Sequence, residues 1–84
     1  MRSLEQIKAV TALTDKEDSE LQRFNALPDD AVGLDGVGKA NCFINGYDTA
    51  NEIGVTRENG FSYTEIGIAC DRFALSTAKT FELI

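Results

Sequence analysis

The chain has 84 residues, 43% of them hydrophobic, a formal net charge of −6 and no histidine. That length makes one domain, residues 1–84, with a modest core, and the hydrophobic fraction sets it apart from disordered chains. The acidity argues against general affinity for nucleic acid or an anionic membrane, and two cysteines without histidine cannot assemble the usual structural zinc sets.

No apolar run approaches the roughly 20 residues needed to span a bilayer. The opening MRSLEQIKAV has no continuous apolar segment of the kind a signal peptide carries. The expectation is a cytoplasmic protein whose Cys42 and Cys70 are reduced, their pairing left open.

In chain order, Ser3 to Leu13 is predicted helical. Ser3 and Gln6 fit a capping box, and Leu4, Ile7, Val10 and Leu13 share one face. A second helix is predicted from the capping box Thr14–Glu17, with Asp15, Glu17 and Asp18 favouring the positive end of the helix dipole. It runs to about Ala26 on the thinner stripe Leu21, Phe24 and Leu27, and Pro28 ends it. The two helices are expected to pair antiparallel across a very short joint. Asp15, Asp18 and Glu20 then mark the outer face, interrupted by Lys16 and Arg23.

Residues 28–39, PDDAVGLDGVGK, have no stable period and are predicted to form a loop. Within it, Gly33, Gly38 and Lys39 match the phosphate-binding pattern G-x-x-x-x-G-K, but Ala40 stands where a magnesium-holding Ser or Thr belongs. The entering segment is short and acidic, and Asp29, Asp30 and Asp35 would repel phosphate. The same aspartates miss the spacing of a calcium-binding loop. A glycine-rich turn is expected, with no nucleotide, metal or other cofactor.

Asn45-Gly46 and Asn59-Gly60 both suit two-residue hairpin turns. Residues 61–70 have good strand propensity, and FALSTAKTFELI fits alternation as well as a helix through Phe73, Thr77, Phe81 and Ile84. Five phenylalanines and two tyrosines are the expected core anchors. The predicted fold is α+β: an N-terminal helical hairpin, an acidic loop and a small antiparallel sheet, with an all-α domain as the alternative.

TANEIGVTREN, residues 49–59, resembles the core of a helix-turn-helix. Ala50, Gly54, Val55 and Thr56 occupy its small, turn, apolar and cap positions, with Ile53 as an added apolar contact. The resemblance implies a DNA-reading helix starting near Thr56. The sequence departs from it at Gly60, where an apolar packing residue belongs, and Arg57 is the only basic side chain in that helix.

Ser62, Ser76 and Cys70 have no histidine to activate them, so no enzyme is expected. Residues 1–35 hold eight acidic and four basic side chains, a net of −4. Asp15, Glu17, Asp18, Glu20, Asp29, Asp30 and Asp35 are therefore the candidate partner-binding residues. The expected partner is a basic protein or ribonucleoprotein complex, with no direct contact to nucleic acid or membrane. A small, acidic, histidine-free domain resembles in general profile the phage-encoded inhibitors of bacterial defence, including anti-CRISPR proteins and DNA mimics. A helix-turn-helix regulator and a structural or self-assembling subunit are the alternatives.

Overall fold

The computed structural model describes residues 4–84 and contains four helices: α1 (Leu4–Ala9), α2 (Asp15–Asn25), α3 (Lys39–Glu52) and α4 (Tyr63–Thr80). The expected Ser3–Gln6 capping box lies outside the described residues. Among those residues there is no strand, only an isolated antiparallel bridge between Val32 and Gly38. The α+β expectation is overturned; the domain is all-α.

The cause lies in two local signals. Ser62 and Glu65 form a capping box: the Ser62 hydroxyl accepts from the Glu65 amide at 3.1 Å, and the Glu65 carboxylate accepts from the Ser62 amide at 2.9 Å. This repeats the Thr14–Glu17 box that starts α2, where the corresponding distances are 3.1 and 3.0 Å. Both are the S/T-x-x-E pattern that satisfies free amides at a helix start. From that start, Ala69, Ala74, Leu75 and Ala78 are buried at helical spacing. Tertiary packing thus overrides the strand propensity of residues 61–70.

The second signal is Asn45-Gly46, which is inside α3 and turns nothing. Cys42, Gly46 and Ala50, at successive i+4 spacings, form the buried stripe of α3. A Cβ on Gly46 would collide with the carbonyl oxygen of Cys70 and lie 2.9 Å from the amide nitrogen of Ala74. The glycine is there because α3 and α4, the most extensively packed pair, cross at backbone contact. Asn59-Gly60 does form a turn, but one joining two helices. Asn59 Nδ2 donates to the Gly54 carbonyl at 2.8 Å, the Phe61 amide to Thr56 at 3.2 Å, and the chain passes through buried Phe61 into α4.

The core has two lobes. Leu21, Phe24, Cys42, Ala74, Leu75 and Ala78 form one, with Phe43 half-buried beside Phe24 at a ring separation of 5.1 Å. Val10, Ala50, Val55, Phe61 and Ala69 form the other, flanked by Ile7, Ile66 and Phe73. Ile7 and Val10 feed one lobe and Leu21 and Phe24 the other, with Leu13 beside the latter, so the expected α1–α2 hairpin is corrected as well: α2 packs on α4. Helix α1 stops at Ala9, short of the expected Leu13. Arg72 on α4 holds this junction, donating to the carbonyls of Ala9 and Ala12 at 3.3 and 2.8 Å and reaching the Glu17 carboxylate at 3.3 Å.

The caps set a pH dependence. The Thr14 amide and hydroxyl, helped by Arg72, hold Glu17 below the ordinary glutamate range, and the Ser62 amide and hydroxyl do the same for Glu65. A carboxylate depressed in the fold stabilises it above the unfolded value near 4.5, and that stabilisation is lost as pH falls through the folded value. Asp71, pushed up by burial, has the opposite sign and is relieved in acid. Urea titrations from pH 7 to pH 3 are therefore expected to show stability falling in acid. A variant carrying Glu17→Gln and Glu65→Gln, which retains cap acceptors, should fall less steeply.

Candidate functional site

The segment between α2 and α3 is a closed tip. The Gly33 amide donates to Val37 at 2.8 Å, and a single 3-10 turn spans Leu34–Gly36. The Leu34 amide donates to the Phe81 carbonyl at 2.6 Å, fastening the tip to the end of α4. A Cβ on Gly33 would run into that same carbonyl, so only glycine permits the approach. Asp35 adopts a left-handed φ of 57°, a conformation aspartate tolerates better than most residues.

Lys39 opens α3, so a helix does leave the glycine-rich loop as in a phosphate site. Its ammonium, however, donates to the carbonyls of Asn25 and Leu27 at 2.9 Å each. It thereby caps the negative end of α2, a favourable use of a cation. In place of an entering strand there is only the Val32–Gly38 bridge. The turn reading of GLDGVGKA agrees with this geometry.

The predicted partner-binding residues do not form one patch. Asp15, Asp18, Asp29, Asp30 and Asp35 are exposed. Glu17 and Glu20 are half-buried instead, paired across α2–α4 with Arg72 at 3.3 Å and with Lys79 at 3.0 Å. Asp15 and Asp18 sit at the start of α2 and the other three aspartates beyond its end, about 15 Å along the axis for a rise of 1.5 Å per residue. The tip gathers Asp29, Asp30 and Asp35 with the exposed apolar side chains of Val32 and Leu34. Asp29 lies 3.9 Å from Lys39 with its carboxylate fully exposed, a pair of little energetic weight.

Sequence reasoning misplaced the tyrosines. Tyr47 and Tyr63 are 61% and 77% exposed, not core anchors. They line a cleft of about 210 Å³ between α3 and the start of α4, together with Ala50, Val55, Arg57 and Ile66. The Arg57 guanidinium stacks 4.8 Å from the centre of the Tyr63 ring and donates to the Phe61 carbonyl at 3.2 Å. Two signals were available. Tyr63 immediately follows the Ser62 cap, and Tyr47 is one residue off the Cys42–Gly46–Ala50 stripe, a rotation of about 100°.

Residues 56–62, which the helix-turn-helix resemblance makes the start of a recognition helix, are non-helical, a turn over 57–60 followed by a short link, and the next helix begins at Tyr63. Both cysteines are free, and burial pushes both thiols above their ordinary value, further helped at Cys70 by neighbouring Asp71. Neither is poised as a thiolate. No helix among the described residues is long and apolar enough to cross a membrane. Comparison with protein-family models, curated proteins and solved structures finds no match to this chain.

Proposed function

We propose that this protein is a non-enzymatic, cytoplasmic interaction domain that binds and blocks a larger, basic, nucleic-acid-handling protein or ribonucleoprotein. In its finer form the proposal is a phage-type inhibitor of bacterial defence, anti-CRISPR-like in mode. The observation that carries it is the tip. Three exposed aspartates and two exposed aliphatic side chains are held on a loop hydrogen-bonded to itself and to the end of α4.

Such a loop loses little conformational entropy on binding, which favours affinity. Its carboxylates complement a Lys/Arg-lined groove and speed encounter, while Val32 and Leu34 add apolar burial. Blocking is steric and electrostatic: the aspartates occupy positions that nucleic-acid phosphates would otherwise take.

The test uses tagged protein on a support, washed with nuclease-treated bacterial lysate containing assembled CRISPR effectors and polymerase, then eluted with rising salt. Wild type is expected to retain a large basic complex that leaves at moderate salt. A D29K, D30K and D35N variant, with asparagine chosen to keep the left-handed φ, should lose it. Glu20 is left intact because Lys79 depends on it. Equal capture by the variant, or an empty wild-type eluate, rejects the proposal. A concentration-dependent mass in light scattering would then point to self-assembly.

A further inference from the structure

Among the described residues, five large hydrophobic side chains are exposed, and they fall in two places. Val32 and Leu34 are on the tip, flanked in sequence by Asp29, Asp30 and Asp35. Ile44, Tyr47 and Tyr63 are at or beside the cleft between α3 and the start of α4, with Ile44 one turn before Tyr47. The floor of the cleft is apolar and closed, Ala50 and Val55 being each 1% exposed. Its volume of about 210 Å³ falls short of the roughly 300–1,000 Å³ of small-molecule pockets and suits a protein side chain.

We propose that the cleft of one molecule receives the tip of another, so that copies of this chain associate head to tail. Charge selects this occupant. Arg57 is the one charged side chain lining the cleft. It makes no ion pair among the described residues and uses one N–H on the Phe61 carbonyl, leaving others for a carboxylate. Helical spacing turns Asp48 and Glu52, the acids of α3, away from the cleft. The tip is complementary: carboxylates beside two exposed aliphatic side chains meet a cation beside an apolar floor. The contact cannot close within one molecule. The tip precedes the start of α3, and the cleft begins at Tyr47, about 12 Å further along that helix for a rise of 1.5 Å per residue. Unlike surfaces meeting in this way form a heterologous interface, which grows into rings or filaments. The net charge of −6 on each copy opposes association at long range, and salt screens that repulsion more than it screens partly buried contact pairs. This contact does not depend on the proposed function; because both use the tip, self-docking competes with the basic partner.

Sedimentation across a concentration series at physiological salt tests it. Wild type is expected to grow in mean mass past the dimer. Arg57→Glu, and separately Tyr47→Ala, should weaken association by about tenfold or more, as should a Val32→Ser, Leu34→Ser variant. All four side chains are exposed, so these variants should melt as wild type does. Mixing the Arg57→Glu protein with the Val32→Ser, Leu34→Ser protein supplies one intact tip and one intact cleft. The mixture should therefore associate, but stop at a dimer. A wild type that stays monomeric, assembly unaffected by Arg57→Glu, a tip variant that still assembles, or a mixture that stays monomeric would overturn the proposal. Arg57→Glu keeps the tip intact, so its capture from lysate reports on the proposed function alone, and either reading can fail by itself.

Discussion

Gly46→Ala is expected to destabilise the protein by about 2 kcal/mol or more, against the direction helix propensity dictates. Alanine in a helix interior is favoured over glycine by about 1 kcal/mol, so the sign of the effect is diagnostic. The added Cβ meets backbone atoms of Cys70 and Ala74, which cannot rotate away as a side chain can. Relief requires α3 and α4 to separate, opening both lobes of the core, because Cys42 and Ala50 flank the crossing on the same stripe. A total stability of about 4–12 kcal/mol for a chain this long makes that a large fraction. Gly67→Ala is the control. It is on the exposed side of α4 with nothing within 4 Å of its Cβ, and should stabilise by about 0.5–1 kcal/mol. Urea unfolding of the two variants, with unchanged slope, would check both; a stabilising Gly46→Ala would disprove the close crossing.

Phe24→Ala is expected to cost about 3–5 kcal/mol, the range for emptying a fully buried phenylalanine site. Its side chain is 0% exposed and is the largest fully buried one among the described residues. It is the plug through which α2 is held on α4, sharing one core lobe with Cys42, Ala74, Leu75 and Ala78. The surrounding alanines are too short to close the cavity. At about 4 °C or more per kcal/mol for a domain of this size, the melting midpoint should fall by at least about 12 °C. Phe24→Leu, which keeps much of the volume, should lose far less. A small loss in Phe24→Ala would mean that α2 is not anchored there. Because the tip is tethered to the α2–α4 layer through Lys39 and Phe81, Phe24→Ala should also loosen the tip and weaken capture of its partner.

The legible parts of the sequence were those whose signals act over four or five residues. The Thr14–Glu17 box and Pro28 bracket α2 almost to the residue, and the Ser62–Glu65 box carries the same information for α4. At α4 that local signal was outweighed by β-propensity in residues 61–70. Such propensity measures fit to a neighbouring strand, and no neighbouring strand exists here. The acidic tip was legible as an acidic, glycine-rich loop. Its fastening to the end of α4 was not, because that rests on the hydrogen bond from the Leu34 amide to the Phe81 carbonyl, far along the chain.

By itself, then, the sequence determined the start and end of α2 and the concentration of aspartates between α2 and α3, all consequences of local capping and composition. The tertiary structure alone decided the role of Gly46, the burial of Glu17 and Glu20 against Arg72 and Lys79, and the exposure of Tyr47 and Tyr63. The physical reason is shared. A glycine serves a tight turn or a close helix crossing equally well, a glutamate suits solvent or an ion pair, and a tyrosine suits a core or a binding surface. Which role each plays depends on what lies across from it, and that is settled by chain segments distant in sequence.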